Sequence, residues 1–230
     1  GSSSVFEVGL MYLLYNFAGK KIKNKLLAEK SIYFEQKILN EAVGSQDQIA
    51  ATYGGFNKIV FKKGGKFNVH PISSSKNLIT KLNRNLLLIY TGITRNAHDI
   101  AKSYIDKLKK SKSSHILKIL NFVDDAEEIL KNGHLHDFGK LLHESWIEKK
   151  NLSTHITNQN IDEIYDLGIR KGAVGGKLLG AGGGGFLLFY VPYYRQKYFL
   201  KSFKKMTIIP FRFNNKGSEI MFNKTNGKKF

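Results

Sequence analysis

The sequence predicts an α+β protein in two parts. Apolar residues recur at helical spacing over two N-terminal stretches. Two β-prone runs then flank a Lys-Lys-Gly-Gly turn. Further on, short apolar runs stand far apart in the chain, with several helical segments between them. Strands that are not sequence neighbours and are embedded among helices favour layered α+β packing over an alternating, doubly wound sheet.

Residues 5–18 place Val5, Phe6, Val8, Leu10, Met11, Leu13, Leu14 and Phe17 on a mostly buried helix, capped by Ser3 or Ser4 and ended by Gly19. Residues 24–39 read as a second helix with Leu26, Leu27, Ile32, Phe34, Ile38 and Leu39 inward. A short helix within 44–55 closes at Gly54-Gly55, and a hairpin pairs 56–61 with 66–72. The polar run 73–77 marks a boundary between a first domain, 1–76, and a second, 77–230. Residues 86–90 form a buried strand ending at Thr91-Gly92. Helices follow at 96–109, 115–131, 134–149 and 158–171. A glycine run leads into a strand at 186–191, then a helix at 193–204 and strands at 207–213 and 219–222.

At 230 residues the chain can bury a proper core. It has no cysteine, which excludes disulfides, zinc-thiolate sites and a thiol nucleophile. No apolar run is long enough to cross a bilayer and no signal-peptide pattern is present, so a cytoplasmic protein without membrane contact is expected. The net charge of +19 has two readings. One is nucleic-acid binding; the other is a Lys-rich surface that attracts anionic metabolites. Only five of the 37 basic residues are Arg, the residue that makes bidentate contacts, and this favours the second reading and no specific nucleic-acid partner.

Four segments carry chemistry. Gly180-Ala181-Gly182-Gly183-Gly184-Gly185 abuts the apolar run Phe186-Leu187-Leu188-Phe189-Tyr190-Val191. Consecutive glycines lose much backbone entropy on folding. Held at one end by a strand, the run reads as a ligand-facing loop, with a flexible turn as the plainer alternative. It ends without the Gly-Lys-Ser/Thr of a Walker loop, and no strand-GxGxxG-helix order is present. Gly1-Ser2-Ser3-Ser4 runs into a helix, where free N–H groups hold phosphate and Ser hydroxyls can ligate Mg²⁺; an ordinary serine cap is the alternative. Asp47, between Gln46 and Gln48 on a tight turn, can address a substrate hydroxyl or can simply favour the helix dipole. Glu35 is an acid on the preceding helix, a position that is often solvated.

In this order the segments resemble those of GHMP-superfamily kinases, and within that superfamily they are most similar to D-glycero-D-manno-heptose 7-phosphate kinases. Gly1–Ser4 resembles the end of the Gly-Leu-Gly-Ser-Ser phosphate loop. Residues 44–57 (GSQDQIAATYGGFN) resemble the segment that holds the catalytic acid. Tyr90-Thr91-Gly92-Ile93-Thr94-Arg95, Leu142-His143-Glu144-Ser145-Trp146 and residues 175–186 fit the heptose-kinase branch. The resemblance implies a GHMP kinase fold: a partial N-terminal domain like ribosomal protein S5 domain 2, and a C-terminal ferredoxin-like α/β plait. It also implies ATP and Mg²⁺ as cofactors and a sugar phosphate as substrate. Gly1, Ser2, Ser3 and Ser4 would wrap the ATP phosphates together with Gly180, Ala181, Gly182, Gly183, Gly184 and Gly185. Ser2, Ser3 and Glu35 would hold Mg²⁺, and Asp47 would be the general base. Arg95 and Lys177 are the cations assigned to the substrate's own phosphate. On this reading Asp47 and the glycine loop act on the same terminal phosphoryl group.

The chain opens without Met, inside what reads as a loop, and the strands that precede the phosphate loop in the family are absent. A fragment or truncated gene product is therefore expected, with uncovered apolar faces on the first two helices and little activity alone. The expected function is ATP-dependent phosphorylation of the anomeric hydroxyl of D-glycero-D-manno-heptose 7-phosphate. An inactive remnant, or half of a split kinase with a complementing N-terminal chain, is the alternative. A basic nucleic-acid-binding module is a second.

Overall fold

The computed structural model describes residues 1–72, 74–94, 100 and 113–221. The chain forms two compact units, Gly1–Pro71 joined by the segment from Phe213 on, and Ile72–Arg212. The polar stretch near residue 73 accompanies the first crossing, whereas no Gly, Pro or Ser cluster marks the return at Phe213.

In the first unit, α1 (Ser2–Phe17) packs with α2 (Asn24–Tyr33) and α3 (Gln46–Tyr53). The expected helix over 24–39 is α-helical only to Tyr33 and finishes as a π-helical turn, Phe34–Ile38. The hairpin β1 (Asn57–Phe61) and β2 (Phe67–Pro71) pairs antiparallel with Ile59 opposite Val69. Ala28, Ile49 and Phe67 make the core, with Ile32, Tyr53, Ile59 and Val69 against it. Gly54, at φ +61°, ends α3 where an L side chain would be strained. α1 buries only Ser4 and Val8. Phe6, Leu13, Leu14 and Phe17 lie 52–90% exposed along one stripe, so the helix forms where the spacing predicts it while most of its apolar side chains stay uncovered. The strand predicted at 219–222 does not form over 219–221; Phe222 lies outside the described residues. That segment is held instead by single bonds, Gly55 N–H to the Asn214 carbonyl at 2.8 Å and Ser218 Oγ to the Ala51 carbonyl at 3.2 Å.

The second unit is built on a four-stranded antiparallel sheet in the order β4-β5-β3-β6. Its strands are β3 (Leu86–Tyr90), β4 (Gly175–Leu178), β5 (Phe186–Tyr190) and β6 (Ile208–Ile209). Its helices are α4 (Lys76–Asn85), α5 (Ser113–Asn132), α6 (Leu135–Lys150), α7 (Gln159–Arg170) and α8 (Tyr193–Ser202). The predicted helix 96–109 lies outside the described residues. Trp146, Ile161, Tyr165, Leu178, Leu187, Phe189, Phe199 and Phe203 form the core between helices and sheet. Two elements escape a reading of periodicity. α4 is polar on average and starts from Ser75, whose Oγ accepts from Leu78 N–H at 3.1 Å. β4 begins with two glycines, poor strand formers by propensity. Those glycines let α6 lie directly on the strand: a Cβ at Gly175 would collide with the Gly139 carbonyl oxygen. Conversely, the strand predicted over 207–213 shortens to two residues.

Gly168 on α7 faces Phe189, where an added Cβ would lie 2.5 Å from the ring. Gly168→Ala should destabilise the second unit by about 1–3 kcal/mol through overpacking, read in urea by the fluorescence of Trp146, the only tryptophan. Gly9 on α1 has nothing within 4 Å of such a Cβ. Gly9→Ala should therefore gain up to about 1 kcal/mol of helix propensity, followed by circular dichroism. Equal effects at the two sites would contradict this account of the packing.

Candidate active site

The π-helical turn redirects the end of α2 and carries Glu35 inward to 3% exposure. Such turns recur at functional sites because they re-aim one side chain within a helix. Ser4 Oγ donates to Glu35 Oε1 at 3.0 Å, and Gln48 Nε2 donates to Glu35 Oε2. Ser4 comes from the first turn of α1 and Gln48 from α3, so three elements meet at one carboxylate. The loop between them is tied down by Gln36, whose amide donates to the Val43 carbonyl at 2.9 Å and to Ser45 Oγ at 3.2 Å. Glu7 lies three residues after Ser4, on the same helical face. Burial, and then the Glu35 charge, push its carboxyl up from 4.5 to about 7. Among the described residues no donor reaches Glu7 Oε1 or Gln48 Oε1, and both atoms are buried.

Asp47 stands on the first turn of α3, 41% exposed, with Oδ2 3.4 Å from the Gly1 backbone nitrogen. A Cβ at Gly1 would lie 2.7 Å from Oδ2, so the bare glycine is what allows the acid to touch the start of α1. Ser2 and Ser3 are exposed; the hydroxyl at Glu35 is that of Ser4. The first unit thus brings together Gly1, Ser4, Glu35 and Asp47. Gln48 and Glu7 belong to the same cluster and were not foreseen. Gln48 was legible as the inward neighbour of an outward Asp47, and Glu7 as the i+3 companion of Ser4. An open cleft of about 650 Å³ elsewhere in this unit, lined by Val5, Tyr12, Ala51, Gly54 and Met221, contains none of these residues.

In the second unit the glycine run is the connection between β4 and β5. Gly180, Gly182, Gly183 and Gly185 all have positive φ, from 72° to 117°, a conformation in which an L side chain is strained. The loop is pinned at several points. Gly183 N–H donates to the Ile156 carbonyl at 2.8 Å and Gly185 N–H to the Ile93 carbonyl at 3.0 Å. The Gly185 carbonyl accepts from Thr91 N–H and Oγ1, both at 2.9 Å. Lys149 Nζ donates to the Leu178 carbonyl at 3.0 Å and to the Gly180 carbonyl. The N–H groups of Ala181, Gly182 and Gly184 donate to none of the described backbone carbonyls, leaving them available to an anion. Lys177, on β4, donates from Nζ to Ser145 Oγ at 3.0 Å and has no carboxylate within ion-pair distance among the described residues. Burial pushes its ammonium down. Arg95 lies outside the described residues.

The Glu35 carboxylate and the Ser4 hydroxyl beside it are oxygen ligands of the kind a hard cation such as Mg²⁺ takes. No group of three His, Cys, Asp or Glu side chains converges among the described residues, so any cation there relies on few protein ligands, as Mg²⁺ usually does.

Residues 126–197 match the family described as GHMP kinases C terminal. The chain thus carries a GHMP kinase C-terminal domain, and its fold is shared with GHMP kinases. Among its relatives, the D-glycero-alpha-D-manno-heptose 7-phosphate kinase of Campylobacter jejuni is 32% identical over 89% of this chain and 61% of its own length. The crystal structure of a Campylobacter jejuni protein assigned as a sugar kinase superposes with a TM-score of 0.70 at 27% identity, covering 94% of this chain and 62% of that one. A D-glycero-D-manno-heptose 1-phosphate kinase from Bacteroides thetaiotaomicron shares the fold, with a TM-score of 0.69 at 22% identity, over 94% of this chain and 60% of that one. The chain spans about three fifths of the length of these relatives. Among the described residues no helix is long and apolar enough to cross a membrane.

The raised carboxyl of Glu7 has a consequence for stability. Its neutral form is favoured in the folded state, so its contribution is complete below about pH 4.5 and is lost as pH rises through about 7. In metal-free buffer the urea midpoint of the first unit should fall between pH 5 and pH 8, and Glu7→Gln should flatten that fall. A variant with the wild-type pH slope would remove Glu7 as the cause.

Proposed function

We propose that the protein is an ATP-dependent sugar-phosphate kinase that phosphorylates the anomeric hydroxyl of D-glycero-D-manno-heptose 7-phosphate, giving the 1,7-bisphosphate. The observation that carries this reading is the buried Glu35, held by Ser4 and Gln48 one residue away from an exposed Asp47 that touches Gly1. The similarity to the Campylobacter heptose 7-phosphate kinase supports the choice of sugar.

Phosphoryl transfer asks an enzyme for positioning and charge neutralisation more than for covalent chemistry. In this reading the start of α1 (Gly1, Ser2, Ser3 and Ser4) offers its N–H groups to the phosphates of ATP. In the second unit, the N–H groups of Ala181, Gly182 and Gly184, which donate to none of the described backbone carbonyls, suit phosphate oxygens. Ser4 and Glu35, with Ser2 or Ser3, would hold Mg²⁺, which supplies neutralisation of phosphate charge when bound. Asp47 orients the anomeric hydroxyl and accepts its proton as the oxygen bonds to the γ-phosphorus and the bond to the departing ADP breaks. Lys177 and Arg95 are assigned to the 7-phosphate. A half-buried ammonium with no acid partner among the described residues has a reason to be kept if its counter-ion arrives with the substrate.

Asp47→Asn should lower kcat by about 10²- to 10⁴-fold with little change in either KM, measured by ADP release with several sugar phosphates as acceptors. Lys177→Met should raise the KM for the sugar phosphate about 10- to 100-fold and leave that for ATP nearly unchanged. Wild-type kinetics in Asp47→Asn would end the kinase reading. Unchanged sugar KM in Lys177→Met would remove only that residue. The exposed stripe Phe6, Leu13, Leu14 and Phe17 supports a second reading, in which activity requires a further segment or chain that covers α1. ADP release by this chain alone at the rate of a complete kinase would eliminate it.

A further inference from the structure

Lys149, on the last turn of α6, grips the glycine loop from outside the glycine run. Its Nζ donates to the Leu178 carbonyl at 3.0 Å and to the Gly180 carbonyl. Each of these carbonyls shares a planar trans peptide with the N–H of the next residue, and the two groups point in opposite directions. In the first peptide the Leu179 N–H donates to the Phe186 carbonyl at 2.9 Å and closes the neck of the loop. In the second, the Ala181 N–H is turned away from the ammonium and donates to none of the described backbone carbonyls. Gly180 is exposed and Ala181 only partly buried. The N–H groups of Gly183 and Gly185 are spent on the Ile156 and Ile93 carbonyls. A peptide tied by its N–H has no donor left for a ligand, whereas one tied by its carbonyl keeps it.

We propose that Lys149 is a positioning residue for phosphate: by holding the Gly180 carbonyl it presents the Ala181 N–H to an oxygen of the ATP phosphates. The proposal rests on the kinase reading, which brings ATP to this loop, but it assigns a residue that the glycine motif does not include. Lys149 acts through the peptide and does not itself touch the nucleotide. Its two bonds fix the neck and the first peptide of the loop together, so the donor is in place before the anion arrives. A cation on the carbonyl also polarises the peptide and strengthens its N–H as a donor.

The experiment measures binding of ATP and of adenosine to the intact protein by calorimetry with Mg²⁺ present. It also follows the Ala181 amide by NMR in protein labelled with ¹⁵N-alanine, the Ala181→Gly spectrum identifying its peak. Lys149→Met should weaken ATP binding about tenfold or more and leave adenosine binding within about twofold. Lys149→Arg keeps the charge and the donors and should lose about threefold or less. In wild type, ATP should move the Ala181 amide proton downfield and adenosine should not. Thermal melts by circular dichroism show whether each variant is folded. A folded Lys149→Met that binds ATP as wild type does overturns the inference and leaves the kinase reading standing. An equal loss for ATP and adenosine does the same, since it marks a brace with no role towards phosphate. If Lys149→Met proves unfolded, the wild-type spectrum decides: a downfield shift with ATP alone supports the proposal, and an amide unmoved at saturating ATP overturns it. Folded wild type that binds no ATP overturns both the inference and the kinase reading.

Discussion

The Glu35 carboxylate is 3% exposed, and burying an ion to that degree costs several kcal/mol unless fixed donors replace the lost water. Ser4 and Gln48 are those donors. Because they belong to the first turn of α1 and to α3, the requirement to satisfy one acid sets where both helices begin relative to the end of α2. The π-helical turn is the local adjustment that makes it work: the extra residue rotates Glu35 inward while Gln36 ties the following loop to Ser45. Asp47 follows from the same constraint. Fixing Gln48 inward leaves its neighbour exposed, close to the backbone of Gly1.

The glycine loop applies the opposite strategy, using backbone in place of side chains. Four positive-φ glycines let the β4–β5 connection fold back on itself while Ile93, Thr91, Ile156 and Lys149 hold it. A linker of that composition would be floppy; this one is anchored, with some N–H groups used structurally and others bonded to none of the described backbone carbonyls. Preorganised backbone dipoles cost no reorganisation when an anion binds. The glycines of β4 do a related job for packing, since Gly175 lets α6 lie against the strand and Gly176 leaves room for the Phe189 ring on the neighbouring strand β5.

Much of this was legible in the chain. The hairpin, the strands at 86–90 and 186–190, and the helices near 115–131, 134–149 and 158–171 follow apolar periodicity and turn chemistry to within a residue or two. Gly1–Ser4, Asp47, Glu35 and the glycine run could each be named from their spacing and resemblance. Illegible were the features that depend on what lies across the fold. β4 looks like loop because glycine has no strand propensity of its own, and α4 hides because its apolar content is low. The tail after Phe213 resembles a strand by composition but finds no ladder partner over its described length.

The sequence by itself determined the layered α+β class, the lack of thiol chemistry and the identity of the acids and glycines of the candidate site, since these rest on composition, local periodicity and short motifs. Only the tertiary structure decided which hydroxyl meets Glu35, that Gln48 and Glu7 join it, and that most apolar side chains of α1 stay exposed. The reason is physical. Helical spacing states which side chains share a face, but not what that face meets, and a buried carboxylate is satisfied by whichever donors the packing of distant segments delivers to it.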